Sequence, residues 1–132
     1  MSKKSILGTA LTGTATALIV LGMSGPAQAA DTQIYSHDTS GNVLGTIRHY
    51  DDGDRFGVTD LYPDGHGVRG YLLNAGQTLV LNSVYNGNGD EGAQTSFTYD
   101  IKSGTNYVMM ICIVDGSSDN TGQRCGSKTI TE

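Results

Sequence analysis

The sequence predicts an all-β fold, a single antiparallel β-sandwich of seven or eight short strands closed by one disulfide. No segment after residue 30 repeats apolar residues at helical spacing, and turn residues recur about every eight to twelve positions, as in sandwiches and barrels. The chain also has two cysteines, enough for one cross-link. Roughly 100 residues follow an amino-terminal leader, which is the length of one domain.

Eight segments have the β-branched and aromatic content of strands, and turns rich in glycine, asparagine and aspartate separate them. The predicted strands are Gln33–Ser36, Val43–Tyr50, Arg55–Leu61, Val68–Leu73, Thr78–Tyr85, Thr95–Ile101, Tyr107–Val114 and Lys128–Thr131.

Two of these segments also indicate their own place in the sandwich. The sixth alternates, with Phe97, Tyr99 and Ile101 on one face and polar residues on the other, so one face should pack and the other meet water. The seventh is apolar on both faces, which predicts a strand in the middle of a sheet. An immunoglobulin-like strand order is one form of such a sandwich, although the tryptophan and cysteine spacing typical of that fold are absent.

Cys112 and Cys125 are predicted to form a disulfide that ties the seventh strand to the last one. A zinc site would need further thiols or nearby histidines, and a catalytic thiol rarely has one lone cysteine partner in an oxidising compartment. In the chain-entropy model this cross-link stabilises by on the order of 3 kcal/mol, a large contribution for so small a domain.

Residues 1–29 have the order of a secretory signal peptide. Lys3 and Lys4 are the only charged residues before Asp31, an apolar stretch follows them, and Ala27-Gln28-Ala29 forms a small-residue cleavage site. We expect export by the general secretory route and cleavage after Ala29, which leaves residues 30–132 as the secreted domain.

A membrane anchor is the alternative interpretation of the leader, because residues 5–23 are roughly long enough to span a bilayer. Four threonines dilute the hydrophobicity of that stretch, and the small-residue site follows it directly. No cysteine lies at the cleavage site, so a lipid anchor is not expected, and the predicted location is extracellular.

The predicted secreted domain is acidic. The whole chain has 8 basic and 13 acidic residues, and loss of the two leader lysines leaves 6 basic residues against the same 13, a formal charge of −7. Such a charge repels phosphate backbones and anionic lipids, so neither nucleic acid nor membrane is expected as a partner. We expect a monomer with an unknown extracellular partner and no cofactor.

The acidic turn at residues 51–54 is a candidate calcium site, because Asp51, Asp52 and Asp54 place carboxylates on one loop. Neither this turn nor the loop Asn86–Glu91 has the spacing of an EF-hand. Solvated turns are therefore favoured in both places, and no metal site is predicted.

Asp64 and His66 are the candidate ligand-binding residues. They lie in the turn Asp64-Gly65-His66-Gly67, where the glycines let the backbone approach a ligand closely. A turn histidine that faces solvent is the alternative, since no histidine of the chain has a second one four residues away.

An enzyme is not predicted. The secreted domain lacks the Gly-x-Ser-x-Gly elbow of a nucleophilic serine. A glycosidase with paired carboxylates would be compatible with the acid content, but the chain has no tryptophan for the aromatic platforms usual in sugar-cleaving sites.

Three segments are distinctive: Tyr50-Asp51-Asp52-Gly53-Asp54-Arg55-Phe56, Asp64-Gly65-His66-Gly67-Val68, and the stretch from Cys112 to Cys125 that continues to Ser127-Lys128-Thr129. Together they resemble a group of small secreted actinobacterial proteins of the Streptomyces type, for which no activity is agreed. The resemblance covers most of the secreted domain and implies no functional residues. Members of that group often have a further cysteine after the Phe-x-Val position, where this chain has Thr59, which implies that this chain lacks one bridge.

The sequence thus predicts a non-catalytic extracellular binding protein that uses aspartate- and glycine-rich loops at one end of a sandwich, where rigid scaffolds present recognition loops. The alternative is an inhibitor of a secreted hydrolase, either a protease or an amylase. Such an inhibitor would act through the disulfide-closed loop at residues 115–123.

Overall fold

The computed structural model describes residues 30–89 and 92–132, which form two antiparallel sheets of four strands each. The predicted signal peptide lies outside the described residues, as do Asp90 and Glu91. In this part of the chain, no helix is long and apolar enough to cross a bilayer. The predicted antiparallel sandwich is confirmed, with strands β1 (Thr32–His37), β2 (Val43–Tyr50), β3 (Arg55–Asp60), β4 (Gly67–Asn74), β5 (Val80–Asn86), β6 (Thr95–Thr98), β7 (Tyr107–Val114) and β8 (Gln123–Ile130).

Hairpins supply most of the strand pairs. The first sheet has the order β1-β2-β3-β6 and the second has the order β5-β4-β7-β8. This is not the immunoglobulin order, in which the second and third strands lie in different sheets. Here the tight turn at residues 51–54 joins β2 to β3 as neighbours, so both strands stay in one sheet.

All eight predicted strands are present, and the largest difference is in the last one. β8 begins at Gln123 rather than at Lys128. Its residues before Ile130 are polar or small and mostly exposed, so they carry no apolar alternation that sequence reasoning could detect. Backbone pairing with β7 forms this strand at the edge of the sheet.

The alternation predicted for the sixth strand is also observed. Phe97 and Tyr99 are half-buried and Ile101 is buried, while the residues between them are exposed. The strand itself ends at Thr98, and the Tyr99 amide still donates to the Asp54 carbonyl of the β2–β3 turn, one position further along the same register.

The core lies between the two sheets, and a glycine sets how closely they approach. Gly70 of β4 faces the first sheet, where a Cβ atom would lie 2.3 Å from Cγ2 of Val58 and 2.9 Å from Cδ1 of Ile47. The close approach lets large side chains from both sheets pack without gaps. The core residues with 0% exposure are Ile47, Phe56, Val58, Leu72, Met109 and Ile111.

β7 lies between β4 and β8, as its two apolar faces predict. On the inner face Met109 and Ile111 join the core. On the outer face Val108 and Cys112 pack in a second, smaller cluster that includes Tyr71. The strand therefore buries apolar side chains on both faces of its sheet.

The predicted disulfide between Cys112 and Cys125 is confirmed, with the two Cα atoms 4.2 Å apart. It spans an irregularity in the β7–β8 pairing, where Ile111 pairs with Gly126 and Ile113 with Gln123. One extra residue of β8 is accommodated there, which is the geometry of a β-bulge. The cross-link thus fastens the start of β8 to the central strand of its sheet.

Substitution of Gly70 tests the close approach of the sheets. We expect Gly70→Ala to lower the free energy of unfolding by about 1–3 kcal/mol, because the new methyl group overpacks the core. The matched control is Gly76→Ala, where the nearest atom to a new Cβ is 3.9 Å away and the backbone is not left-handed. Equal urea-denaturation midpoints for the two variants would contradict this packing.

Candidate functional site

One end of the sandwich gathers four loops rich in aspartate, asparagine and glycine. Because neighbouring strands run antiparallel, the loops that follow β1, β3, β5 and β7 all leave the same end. We call it the loop end. Its loops are residues 38–42, 61–66, 87–94 (without the undescribed 90 and 91) and 115–122.

Two of these loops enclose a cleft of about 140 Å³ at the loop end. We call it the acidic cleft, because three of its lining side chains are carboxylates and only one, Arg124, is a permanent cation. Ile113 and Val114 at the end of β7 supply its apolar part. The polar residues that line it are Asp64, His66, Asp115, Asp119, Gln123 and Arg124.

The structure brings the sequence-predicted residues Asp64 and His66 together in this cleft. Oδ1 of Asp64 accepts a hydrogen bond of 2.9 Å from the His66 amide, and Gly65 between them has φ +82°. Nδ1 of His66 lies 2.6 Å from Oδ1 of Asp115, which belongs to the other loop. Both side chains line the cleft and are largely exposed, so a ligand in the cleft can reach them.

Asp119 holds the loop at residues 115–122 in shape. Its Oδ2 accepts the Asp115 amide at 2.8 Å, and its Oδ1 accepts the amide and the hydroxyl of Thr121 at 2.7 and 2.6 Å. These bonds, led by the one from Asp115, lower the pKa of Asp119 from 3.8 to about 2. Arg69 of β4 also donates to the Ser117 carbonyl, so the loop is folded back on the sheet.

A second cleft of about 290 Å³ adjoins the first, with His66 in the wall of both. We call it the tyrosine cleft. The side chain of Tyr85 lies across two glycines, since a Cβ at Gly67 would be 2.4 Å from its Cε2 atom and a Cβ at Gly87 would be 2.1 Å from its hydroxyl oxygen. Tyr62 is 48% exposed. The lining is completed by Asp60, Pro63, Gly65, Asn88 and Gly89.

Asp60 anchors the loop that follows β5. Its side chain is buried, and Oδ2 accepts the Gly89 amide at 3.0 Å. Burial raises the pKa of this carboxyl above its ordinary value, although the bond from Gly89 opposes that effect. Asn86 fixes the same loop by donating to the carbonyls of Val58 and Ala93. Hydrogen bonds made by the side chains of Asp60 and Asn86 therefore fix the backbone of the loop that lines the tyrosine cleft.

The opposite end of the sandwich holds a separate cluster of ligating groups. His49 at the end of β2, Asp54 in the β2–β3 turn and Glu132 after β8 each place a nitrogen or oxygen atom within 4.8 Å of the other two. Nε2 of His49 is 3.5 Å from Oδ1 of Asp54. Partial removal from water, followed by the neighbouring carboxylate of Asp54, raises the pKa of Glu132 to about 6, although the residue remains exposed at the surface.

Of the three calcium candidates, only Asp54 belongs to that cluster. The turn places Asp54 in the left-handed region at φ 49°, which directs its side chain inward, and Ile101 donates its amide to Oδ2 at 2.9 Å. Asp51 instead accepts the Asp54 amide with its carbonyl, and Asp52 is exposed. The structure therefore does not bring Asp51 and Asp52 into this cluster of ligating groups.

Sequence reasoning missed His49, Asp115, Asp119, Arg124 and Glu132 as site residues. Asp115 and Asp119 lie in the disulfide-closed loop, which the sequence indicates only as the contact loop of the alternative inhibitor. Their place beside His66 depends on the pairing of β4 with β7, which puts the loops before β4 and after β7 side by side. No local pattern in the sequence reports that pairing.

The chain matches no protein-family model and no curated protein. Among solved structures it is similar to the endonuclease/exonuclease/phosphatase from Beutenbergia cavernae DSM 12333, with a TM-score of 0.58 and 19% sequence identity. The similarity covers 76% of this chain but only 27% of that one. At this identity the likeness shows the fold alone, and the class it supports is a two-sheet antiparallel β-sandwich.

The low pKa of Asp119 predicts an acid-dependent contribution to stability. A carboxyl with a lowered pKa in the folded state stabilises above its ordinary value of 3.8, and the effect disappears as the pH falls toward about 2. Asp119→Asn should therefore lower the urea midpoint at neutral pH, and its difference from the wild type should shrink between about pH 4 and pH 2.

The control for this measurement is Asp52→Asn, which removes an exposed carboxylate at the other end. The pKa of Asp60 is raised, so its effect on stability changes with pH in the opposite direction. That effect is the same in the wild type and both variants, so it cancels when their urea midpoints are compared. A difference between wild type and Asp119→Asn that stays constant from pH 7 to pH 2 would contradict the role of the charged carboxylate.

Proposed function

We propose that this protein is a secreted, non-catalytic binding protein that holds a cationic group of an extracellular partner in the acidic cleft. The lysine or arginine side chain of a protein is the simplest such group. The observation that carries the proposal is the joining of Asp64, His66, Asp115 and Asp119 from two separate loops into one accessible cleft.

The cleft is organised before any ligand arrives, which supports binding as its role. Asp64 and Asp119 accept backbone amides, and Asp115 is bonded to His66, so these carboxylates are fixed without a partner. Fixing side chains in advance reduces the entropy lost on binding. Asp115 and Asp64 also remain exposed, so their free lone pairs can accept charge-assisted hydrogen bonds.

The tyrosine cleft supports the same class of ligand. Exposed Tyr62 lines the adjoining cleft, whose wall His66 shares, and offers an aromatic face. Aromatic faces attract ammonium and guanidinium groups, and tyrosine supplies contact area at low entropic cost. The formal charge of −7 on residues 30–132 would steer a basic partner toward the domain.

One feature favours binding over catalysis, and another favours it over hydrolase inhibition. A His–Asp pair needs an adjacent nucleophile to act in acyl transfer, and the described lining of the two clefts has no serine, threonine or cysteine. The hydrolase-inhibitor alternative needs a projecting loop. The loop at residues 115–122 is instead folded onto β4 through Arg69 and bonded internally through Asp119, which argues against insertion into an active site.

Peptide titration tests the proposal. We expect short lysine–glycine and arginine–glycine peptides to shift the NMR signals of residues 61–66 and 115–122, whereas a glutamate–glycine peptide does not. Asp115→Asn should weaken the affinity by about tenfold, because a charge-assisted bond is lost. The matched control is Asp100→Asn, an exposed carboxylate at the opposite end.

If Asp115→Asn and Asp100→Asn weaken peptide binding equally, the binding reflects net charge alone, and the acidic cleft is not the binding site. The hydrolase-inhibitor function would be favoured instead if an equimolar amount of the protein inhibits common proteases or amylases and substitutions within residues 115–122 abolish that inhibition.

Export is tested separately. We expect the protein to accumulate in the culture medium with Ala30 as its first residue and with Cys112 and Cys125 bonded, as measured by intact mass before and after reduction. Retention of residues 1–29 in the membrane fraction would support the anchor interpretation.

A further inference from the structure

We infer that His49, Asp54 and Glu132 bind one divalent transition-metal ion of the zinc type at the end of the sandwich opposite the acidic cleft. This inference does not depend on the proposed function, because the two sites share no residue and lie at opposite ends of the sandwich.

The first support is a pair of buried polar atoms without partners. The side chain of His49 is only 6% exposed, and its Nε2 has no hydrogen-bond partner among residues 30–89 and 92–132. The same is true of Oδ1 of Asp54, which is also shielded from solvent. Buried polar atoms are rarely left unsatisfied in folded proteins. Both atoms point at one another across 3.5 Å, and a cation between them would satisfy both.

The distances fit a small tetrahedral ion. Two ligand atoms that each lie about 2.1 Å from a tetrahedral zinc ion are about 3.4 Å apart. Nε2 of His49 and Oδ1 of Asp54 are 3.5 Å apart. The Glu132 carboxylate, within 4.8 Å of both, needs a shift of roughly 1 Å to complete the set.

The ligand types select the metal class. One imidazole nitrogen with two carboxylates is a donor set suited to zinc and similar first-row divalent ions, leaving a fourth position for water. Calcium instead takes six to eight oxygen ligands. This replaces the calcium hypothesis for the turn with a different metal and a different set of residues, with Asp54 the only residue common to both.

Two of the three ligands are already oriented. The imidazole of His49 stacks on the Phe56 ring with centroids 4.6 Å apart, which fixes its plane. Ile101 holds Oδ2 of Asp54, so Oδ1 is the oxygen left to face the imidazole. Glu132 is exposed, and an ion can enter on its side. An orientation fixed by neighbouring groups is usual for metal ligands.

An ion pair is the competing explanation of the cluster. In that explanation the imidazole of His49 faces the carboxylate of Asp54 without any metal, and Glu132 has no part in the interaction. The two explanations differ in the effect of Glu132, which is exposed and can be changed without disturbing the core.

The test uses the purified protein after dialysis against EDTA. We expect zinc to bind at about one ion per chain by calorimetry and to raise the melting temperature by about 6–11 °C for each tenfold excess over its dissociation constant. Glu132→Gln should weaken zinc binding by at least about tenfold. Its control is Asp52→Asn, which makes the same charge change in the neighbouring turn.

A second pair of variants addresses the buried ligand. His49→Gln should abolish the zinc-dependent rise in melting temperature, while His37→Gln, at an exposed histidine, should retain it. If His49→Gln does not fold, Glu132→Gln and Asp52→Asn still decide the matter. The inference is overturned if zinc produces no shift, if only calcium does, or if Glu132→Gln binds zinc like the wild type.

Discussion

The burial of β7 on both faces is the constraint on which the rest of the structure depends. Its inner face completes the core with Met109 and Ile111, and its outer face carries Cys112 into the cluster that the disulfide covers. A strand buried in this way must have a neighbour on each side, and β4 and β8 fill those positions. The pairing with β4 then places Asp115, the first residue after β7, beside the turn that carries His66.

The features predicted from sequence are those that local patterns encode. The strands from β1 to β7 follow from strand-forming residues and the turns between them, the central place of β7 from its uniform apolarity, and the disulfide from the presence of only two cysteines. Asp64 and His66 were found because glycines flank His66. The other site residues could not be found, because Asp115 reaches the cleft, and Glu132 its cluster, only through strand pairing between distant parts of the chain.

The two ends of the sandwich use the same residue types under opposite physical conditions. At the loop end Asp115 and His66 are exposed and bonded to each other, and the charged carboxylate of Asp119 accepts hydrogen bonds from backbone amides. At the other end His49 and Asp54 are shielded from water and face one another without a hydrogen bond. The exposed pair is stable without a ligand and keeps lone pairs free to bind a cationic group reversibly. The shielded pair, by contrast, would be stabilised most by a permanently bound ion, because its polar atoms are otherwise unsatisfied.

Ligands at the two ends would also act on different parts of the fold. The imidazole of His49 continues into a stack with Phe56 and Phe97, which crosses β2, β3 and β6 in register. An ion held by His49 would therefore restrain three strands of the first sheet. A ligand in the acidic cleft would contact loops that β4, β7 and the disulfide already hold in place. Because the two sites share no residues, their contributions to stability should add, as is usual for independent sites in proteins.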